Sequence, residues 1–337
     1  MDVLADALLA MRTGRPRSAR TEGRAPWAFR SPEFMGTTFH VVLQGACWLL
    51  TPSSDTAPSG TAPLAMGPGD VVFLRRGSAH VLADHPASPL REFAPQRDDG
   101  TSPIGHVRFD GPGAVSVLLC GAYELDVARP HPLLNELPDV FHLPARRSQP
   151  AELRGLIDLL GHELDDSHPG RDGIVPALVD AMLLYILRAW VEQSVHAGAP
   201  SGWAAALTDT AISKALERIH AEPARRWTVE DLAATASLSR SVFARRFTDL
   251  IGQPPLNYLT WWRMTIAARL LRDSTAPLAS VGRRVGYSSE FAFAKAFRRE
   301  FGLAPGQYRR GGPGIAPPRI PRSPTRSDDD DRLVRSR

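Results

Sequence analysis

Arginines lie next to a pair of regularly spaced phenylalanines in the C-terminal third of the chain. The spacing of the phenylalanines shows which way the arginine side chains point and therefore what they could bind. Phe243 and Phe247 are four residues apart, which places both on one face of a helix. Arg245 falls between them and therefore points away from that face. An outward guanidinium can bond a guanine edge at two points, so Arg245 is predicted to read a base in the major groove of a nucleic acid.

The same arrangement occurs twice. Five residues recur after 50 positions, first as Phe243, Phe247, Gly252, Pro255 and Tyr258 and then as Phe293, Phe297, Gly302, Pro305 and Tyr308. Amphipathic segments 229–236 and 278–285 precede them at an offset of 49, so the second copy contains one extra turn residue. Each copy is predicted to be a helix, a tight turn and a helix, and two such units are typical of DNA binding. The apolar segment 256–272 predicts a central helix, about 25 Å long, that separates the units.

Residues of the second helix in each unit, most of them on its outward face, are the candidates for contact with DNA. They are Arg240, Ser241, Ala244, Arg245 and Arg246 in the first unit and Ser289, Glu290, Ala292, Lys295 and Arg299 in the second. Lys295 occupies the position of Arg245 one repeat later. Arg240 and Arg246 are expected at phosphates, because most protein–DNA hydrogen bonds reach phosphate or sugar. A solvated helix face is the alternative for each cation. Glu290 could accept from cytosine N4, but we favour a stabilising interaction with the helix dipole.

The charge distribution supports this prediction once the chain is divided. Residues 211–310 contain 17 Lys and Arg against 8 Asp and Glu, a net charge of +9, whereas 17 basic and 24 acidic residues give residues 1–210 a net charge of −7. Clustered positive charge on a small domain attracts the phosphate backbone. The acidic N-terminal part must have another role.

Short apolar runs separated by Gly, Pro, Asp and Ser predict a β domain between about residues 27 and 145. The predicted strands are 39–43, 47–50, 71–74, 115–119 and 140–143. Segments 152–164 and 174–195 predict helices, and the apolar stripe of the second could cover the β domain or form a dimer contact. Residues 196–203 have the composition of a linker, and the Pro-, Arg- and Asp-rich residues after 310 predict disorder.

The chain has two cysteines, Cys47 and Cys120, which is too few for a disulfide framework and suits a reducing cytoplasm. They are either small buried hydrophobic residues or a redox switch, and a switch requires an exposed thiolate with a low pKa. Asp2 and Asp6 interrupt the opening apolar stretch, and no apolar run reaches the roughly 18 residues of a membrane span. We therefore expect neither a signal peptide nor a membrane partner.

Residues 211–310 resemble the DNA-binding domain of AraC/XylS-type transcription regulators, and segment 277–310 matches that family's signature almost throughout. The resemblance implies double-stranded DNA and RNA polymerase as partners, with activation as the expected output, although the sequence leaves open whether transcription rises or falls. It places base contacts on Ser241, Ala244 and Arg245 in the first unit and on Glu290, Phe291, Ala292 and Lys295 in the second. Among these, the apolar side chains of Ala244, Phe291 and Ala292 can contact only apolar groups of the bases, such as the methyl group of thymine.

Residues 69–80 resemble the second cupin motif, with Arg75 where proline is usual, and residues 38–44 can be aligned with the first. The resemblance covers about residues 25–145. It implies a small β-barrel whose interior pocket receives an unknown small-molecule or oxidant effector.

The metal positions of the cupins fall on Thr38, His40, Gln44 and His80, a set without a carboxylate that suits a hard metal poorly. Adding the thiolate of Cys120, or of Cys47, to the two histidines would give a zinc or soft-metal site. In the alternative, both histidines line an effector pocket or satisfy hydrogen bonds in the core.

Together these patterns predict a cytoplasmic, homodimeric transcription regulator that is not an enzyme. The predicted segments are an N-terminal segment (1–24), a cupin-like sensor β-barrel (25–148), a helical dimerisation or packing region (149–197), a linker (198–207), an all-α domain of two helix-turn-helix units joined by a long central helix (208–310) and a disordered tail (311–337). One rival is a cupin enzyme with a helical appendage, against which the missing carboxylate argues. The other is an architectural nucleic-acid binder without an effector response.

Overall fold

The computed structural model describes residues 2–12, 16–34, 36–51, 62–91, 104–125, 131–145, 149–165, 168–198 and 202–311. Within them, an N-terminal domain of two β-sheets and flanking helices precedes an all-helical C-terminal region. The predicted fold class is confirmed. The disorder predicted for the tail concerns residues outside the described set, apart from Gly311.

Two sheets build the N-terminal domain. Their strands are β1 (Arg17–Arg24), β2 (Ala28–Ser31), β3 (Gly36–Gln44), β4 (Cys47–Leu50), β5 (Leu64–Met66), β6 (Val71–Leu74), β7 (His80–Ala83), β8 (Ile104–Phe109), β9 (Val115–Glu124) and β10 (Val140–Leu143). The larger sheet has the order β10-β6-β3-β9-β1-β8 and the smaller one the order β2-β7-β4-β5. Strands β1 and β8 pair in parallel, and the other pairs are antiparallel.

The central strands of the larger sheet are buried on both faces. Successive side chains of a strand point to opposite faces, so Val42 packs among the residues between the two sheets while Val41 packs with the helices. Strand β6 has the sequence Val-Val-Phe-Leu and is buried at all four positions, as expected of a strand covered on both sides. All five predicted strands are present, as β3, β4, β6, β9 and β10.

Strand β1 was not predicted, and it moves the boundary of the domain. Its sequence, Arg-Ser-Ala-Arg-Thr-Glu-Gly-Arg, has almost no apolar signal, yet it pairs with β9 on one side and with β8 on the other. The sheet therefore begins before residue 25, the predicted start of the sensor domain. Main-chain hydrogen bonds to two neighbours hold β1 in place, and no side-chain pattern reports them.

Four helices accompany the sheets: α1 (Val3–Met11), α2 (Pro132–Glu136), α3 (Ala151–Asp165) and α4 (Arg171–His196). One stripe of α4, which includes Val179, Leu183 and Ile186, is buried with α3 in the core beside the larger sheet. This stripe therefore covers the β domain, the first of its two predicted uses. By length and composition α4 could also cross a membrane, with a mean hydropathy of 1.8 over 18 residues, of which 44% is buried here. A single helix of this kind is weak evidence for a membrane span, because core helices share these properties.

Residues 202–311 form the helices α5 (Gly202–Thr208), α6 (Thr210–Ala221), α7 (Val229–Thr235), α8 (Arg240–Ile251), α9 (Pro255–Asp273), α10 (Leu278–Arg284), α11 (Glu290–Phe301) and α12 (Pro305–Gly311). The predicted helix-turn-helix units are α7–α8 and α10–α11. Thr228 and Asp231 form the capping box predicted at the start of α7. Gly252 and Gly302 end α8 and α11 with φ of 80° and 73°, a left-handed conformation that explains why glycine recurs at this place in the repeat.

Helix α9 joins the two units, and its buried residues are divided between them. Tyr258 and Trp262 belong to the core of the first unit, whereas Met264 and Leu271 belong to the core of the second. At 19 residues the helix is about 28 Å long. The prediction of a central helix packed against both units is confirmed.

Part of the predicted linker 198–207 is instead helix α5. Its Trp203 is fully buried, and the helix packs against α2, α4, α6 and α8. Because of this packing the first unit shares one continuous core with the N-terminal domain, while the second unit has a core of its own. The small residues around Trp203 resemble a linker in composition, but their size lets the helices approach closely.

Candidate nucleic-acid interface

The first unit presents its outward face on α8. The helix buries Phe243 and Phe247 and leaves Arg245 exposed on the other side, as the spacing predicts. Ser241 is also exposed, and the smaller Ala244 is half-buried beside it. The polar groups on this face are therefore open to solvent, and none of them is needed in the core.

Two further arginines of α8 have partners within the protein. Arg240 lies 2.9 Å from the carboxylate of Glu230 on α7, and both side chains are exposed. Arg246 donates from Nε to Oδ2 of Asp209 at 2.7 Å. The other carboxylate oxygen of Asp209 caps the start of α6. Arg246 therefore ties α8 to α6, and a phosphate contact would use its remaining N–H groups.

In the second unit, α11 repeats this arrangement. Phe293, Phe297 and Phe301 are buried. Oγ of Ser289 accepts a hydrogen bond from the backbone N–H of Ala292 at 3.1 Å, so Ser289 caps the helix. Glu290 is exposed in the first turn, where a carboxylate interacts favourably with the helix dipole.

The exposed residues of α11 differ in character from those of α8. Phe291 is 80% exposed. Ala292 and Lys295 are exposed near it, and Arg299 lies 3.3 Å from Glu300 further along the helix. The second unit thus offers an apolar ring and a lysine where the first offers a serine and an arginine.

The turns of the two units differ as the repeat offset predicts. Residues 236–239 separate α7 from α8, whereas the longer segment 285–289 separates α10 from α11. A left-handed residue occurs in each turn, Ser237 with φ of 55° and Gly286 with φ of 87°. A Cβ on Gly286 would come within 2.7 Å of the carbonyl oxygen of Ala224, so the second turn requires glycine.

Two histidines meet between the sheets of the N-terminal domain. Nε2 of His40 lies 2.7 Å from Nε2 of His80, and Nδ1 of His80 lies 2.7 Å from the carbonyl oxygen of Ser78. Nδ1 of His80 must donate to that carbonyl, so its Nε2 accepts and His40 donates. Burial lowers the pKa of both imidazoles, and His80 lowers that of His40 further. Nδ1 of His40 is buried without a hydrogen-bond partner among the described residues.

This arrangement does not fit the metal centre that the cupin resemblance suggests. Gln44 stands at the position of the missing carboxylate and is exposed at the end of β3. The described residues contain no group of three His, Cys, Asp or Glu side chains that could hold a metal ion. The predicted zinc set of His40, His80 and Cys120 is therefore not assembled: Cys120 stands opposite His40 in the pairing of β3 and β9, but the three side chains do not form a ligand group.

Both cysteines have a raised pKa. The pKa of Cys47 and that of Cys120 are raised to about 12, mainly by burial, and for Cys47 the neighbouring Cys120 and Asp70 contribute to the rise. Sγ of Cys120 lies 3.7 Å from Oγ1 of Thr21, and the two atoms can share a hydrogen bond. The low-pKa thiolate that a redox switch needs is absent at both described cysteines.

Known proteins resemble both halves of the chain. A cupin family model matches residues 2–192, and a helix-turn-helix domain model matches residues 232–311. A Streptomyces lividans protein described as an AraC-like transcription regulator is 34% identical over 314 residues, which cover 92% of this chain and 98% of that protein. The chain belongs to the family of AraC-like transcription regulators.

Two further proteins also resemble the chain. The HTH-type transcriptional regulator AlkR of Acinetobacter baylyi is 31% identical over 86% of this chain and 92% of its own length. A crystal structure of the DNA-binding domain of AdpA in complex with a target DNA is 35% identical, covers 30% of this chain and 91% of that chain, and has a TM-score of 0.29. As an AraC-like regulator, the protein binds double-stranded DNA through its helix-turn-helix domain and carries a cupin domain at its N-terminus. The predicted family and function are confirmed, and the relatives are regulators rather than the enzymes of the rival hypothesis.

Sequence reasoning missed the residues that join the two domains of this AraC-like regulator. Oδ2 of Asp6 on α1 lies 3.6 Å from Nδ1 of His220 on α6. Nε2 of His220 lies 2.7 Å from the hydroxyl of Tyr258, and its ring stacks on Trp262 at 3.9 Å between centroids. Burial lowers the pKa of His220, and Asp6 opposes this shift.

The C-terminal end of α1 is held by a second set of contacts. Arg272 of α9 donates to the carbonyl oxygens of Ala10 and Arg12 at 3.5 and 3.4 Å and to the hydroxyl of Tyr308 at 2.7 Å. The guanidinium of Arg12 bonds both oxygens of Asp180 on α4 at 3.0 and 2.8 Å. The sequence does contain a signal for helix α1, namely a short apolar run that follows the capping residue Asp2. Nothing in that run indicates that Asp180 and Arg272, which are far away in the chain, are its partners.

Proposed function

We propose that α8 and α11 enter neighbouring major grooves of one DNA site, with Arg245 and Lys295 as base readers. The division of α9 between two cores carries this proposal, because one continuous helix then fixes the separation of the two units. Successive major-groove faces lie about 34 Å apart, which is comparable to the about 28 Å of α9. The remaining contact surface comprises Arg240, Ser241, Ala244, Arg246, Ser289, Glu290, Phe291, Ala292 and Arg299.

We further propose that the cupin domain responds to a small-molecule effector rather than to an oxidant. Unpartnered buried polar atoms of described residues support this: Nδ1 of His40 and Oγ1 of Thr38, which lie two residues apart on β3 and so point to the same side of the sheet. A buried polar group without a partner is unfavourable, and a ligand that bonds it gains specificity. The raised pKa of both thiols argues against rapid oxidation.

Helix α1 is the proposed connection between effector and DNA. It packs against α6 and α9 of the DNA-binding domain, and its last residues are bonded to Arg272 on one side and through Arg12 to Asp180 on the other. A ligand that shifts the helices of the sensor domain would thereby bias the position of α9. Ligand binding would then change the populations of two arrangements of α9 and the DNA-binding units, and the DNA affinity would change with them.

A homodimer contact is proposed on the outer side of α4. Two large apolar residues of this helix lie outside its buried stripe, Ile174 at 41% and Val195 at 38% exposure, near its two ends. Ala181 and Tyr185 lie between them on the same side and are partly exposed, although both also pack against the core. Two copies of this side of α4 can pack against each other and remove the exposed apolar residues from water.

The DNA-bound protein is proposed to contact RNA polymerase and to activate transcription. The proposed location is the cytoplasm, where bacterial DNA lies. Membership of the regulator family supports this site of action. An in vitro transcription assay with purified polymerase and the selected DNA site would establish the sign of the effect.

A half-turn insertion tests the reading of adjacent grooves. The full-length protein would first select its site from a pool of random duplexes, and about 5 base pairs would then be inserted between the two parts of that site, which turns one groove to the opposite side of the DNA. We expect the affinity to fall to that of the stronger part alone, because α9 does not let the units separate. A duplex with the same insertion outside the site is the control. Unchanged affinity after the internal insertion would contradict the proposal.

A further inference from the structure

The side chain of Phe291 is the most exposed large apolar side chain of the residues that the structure describes. It is 80% exposed at the second position of α11, while the next most exposed, Leu159, is 54% exposed. The ring makes little contribution to the fold, because the core of this helix consists of Phe293, Phe297 and Phe301 on the other side. Its exposure is unfavourable in water, so a bound partner that covers it would gain affinity.

The surroundings of Phe291 indicate the chemistry of that partner. Lys295 and Arg298 lie four and seven residues further along, on the same face of α11, and both are exposed. The ring therefore lies at one end of a cationic stripe. An anionic partner with an apolar group on its surface satisfies both features, and the major groove of DNA supplies phosphates together with the methyl group of thymine.

The repeat supplies an internal comparison. One repeat earlier, Ser241 stands at the position of Phe291 and Arg245 at that of Lys295. At these two positions the first unit presents two hydrogen-bonding side chains, whereas the second presents only that of Lys295, because Phe291 can form no hydrogen bond. Ala292 beside it is also exposed and apolar. In the major groove only thymine offers a methyl group to such side chains.

We propose that Phe291, assisted by Ala292, is a thymine-methyl reader that makes the second unit select thymines by apolar contact beside the base contact of Lys295, while the first unit selects its bases by the hydrogen bonds of Ser241 and Arg245. This inference rests on the proposed entry of α11 into a major groove. It assigns the two units different recognition chemistry, so the DNA site is expected to be asymmetric: thymine-rich where α11 binds and guanine-containing where α8 binds.

Replacement of thymine by deoxyuridine tests the contact directly, since it removes the methyl group and keeps the base pair. The full-length protein and its Phe291→Ala variant would be measured by fluorescence anisotropy on the selected site, with the thymines replaced one at a time. For the unaltered protein, one or two replacements in the part bound by α11 should weaken binding about fourfold each, the value of one buried methyl group. For Phe291→Ala the same replacements should have no effect.

Three controls make the result decisive. Leu256→Ala removes a 40% exposed side chain from the neighbouring helix α9 and should leave the deoxyuridine effect unchanged. Phe291→Leu keeps an apolar side chain and should retain part of the thymine preference. The melting temperature of Phe291→Ala should equal that of the unaltered protein, because the ring is outside the core.

The possible failures can be told apart. If the protein selects no sequence, the proposed DNA-reading function itself fails. If it selects a site that Arg245→Ala disrupts, but Phe291→Ala responds to deoxyuridine as the unaltered protein does, only the thymine-methyl assignment is overturned. Unchanged DNA binding by Phe291→Ala with a loss of transcription would also overturn it and would place the ring against a protein partner.

Discussion

At the scale of single residues, neighbours on one helix have separate tasks. Arg245 and Arg246 are adjacent in the chain, yet Arg245 is exposed on the outward face and Arg246 is bonded to Asp209, which caps α6. Successive residues of a helix point about 100° apart, so one side chain points outward while the next holds two helices together. Replacement of Arg245 should therefore change DNA binding, whereas replacement of Arg246 should change the stability of the fold.

The Arg245→Ala variant is expected to lose about 1 to 3 kcal/mol of binding free energy on the selected site and to relax the preference at one base position. Its melting temperature should not change, since the side chain is exposed. Arg246→Ala is the matched comparison and should lower the melting temperature, because Asp209 loses its partner. Binding of random duplexes and of the selected site distinguishes the roles. Equal losses of Arg245→Ala on every sequence would contradict base reading.

The buried histidine pair predicts a dependence of stability on pH. Burial lowers the pKa of His40 and His80 in the fold, whereas the unfolded chain takes up these protons near the ordinary value of 6.5. The unfolded state then binds more protons at low pH, so stability is full above about pH 6.5 and falls as the pH decreases below it. The melting temperature should drop between about pH 7 and about pH 5. A His40→Gln/His80→Gln variant should show a smaller drop; an identical one would contradict this account.

At the scale of elements, the helix-turn-helix units follow closely from local sequence. The predicted segments 229–236, 256–272 and 278–285 agree with α7, α9 and α10 to within a residue or two at each end. Caps, the phenylalanine spacing and the terminal glycines all act within a few residues of one another. Such signals can be read without knowledge of the fold. Strand β1 and helix α5 lack them, and both were missed.

The phenylalanine core of α11 should carry much of the stability of the second unit. Phe297 is fully buried and lies 4.5 Å from Phe301 and 5.3 Å from Tyr308 between ring centroids. Phe297→Ala is expected to remove about 3 to 5 kcal/mol of unfolding free energy, measured by denaturant titration. Phe291→Ala, on the same helix but exposed, is the control and should change it little. Similar losses in the two variants would show that burial is not the cause.

At the scale of the whole molecule, the proposed homodimer contact on the outer side of α4 can be tested by placing charge in it. A carboxylate in an apolar contact between two copies cannot be solvated, so Ile174→Glu and Val195→Glu should convert the proposed dimer to a monomer. Leu159→Glu alters an apolar residue of α3 that is even more exposed, and it should leave the dimer intact. Sedimentation equilibrium measures the outcome. A monomeric unaltered protein, or a dimer in all three variants, would refute the α4 interface.

The contacts of α1 should couple the sensor domain to DNA affinity. Arg12→Ala and Asp180→Asn each break the ion pair in which Nη1 of Arg12 donates to both oxygens of Asp180 and anchors α1 to α4. Each is expected to weaken DNA binding about fivefold, with no further loss when they are combined. The control is Arg17→Ala, which breaks a pair with Glu124 at 2.9 Å that is more exposed and lies within the sensor domain. Additive effects of the first two changes would indicate that the pair is not the connection.

The amino-acid sequence by itself determined that this chain carries two helical DNA-reading units on a central helix and a cupin-like domain before them, because caps, spacings and motif residues are local and periodic. Only the tertiary structure decided how these parts meet. It paired His40 with His80 instead of assembling a metal site, and it fused the first unit to the sensor through Trp203. It also placed α1 between Arg272 and Asp180. These outcomes depend on main-chain pairing and on contacts between residues far apart in the chain, and neither leaves a periodic trace in the sequence.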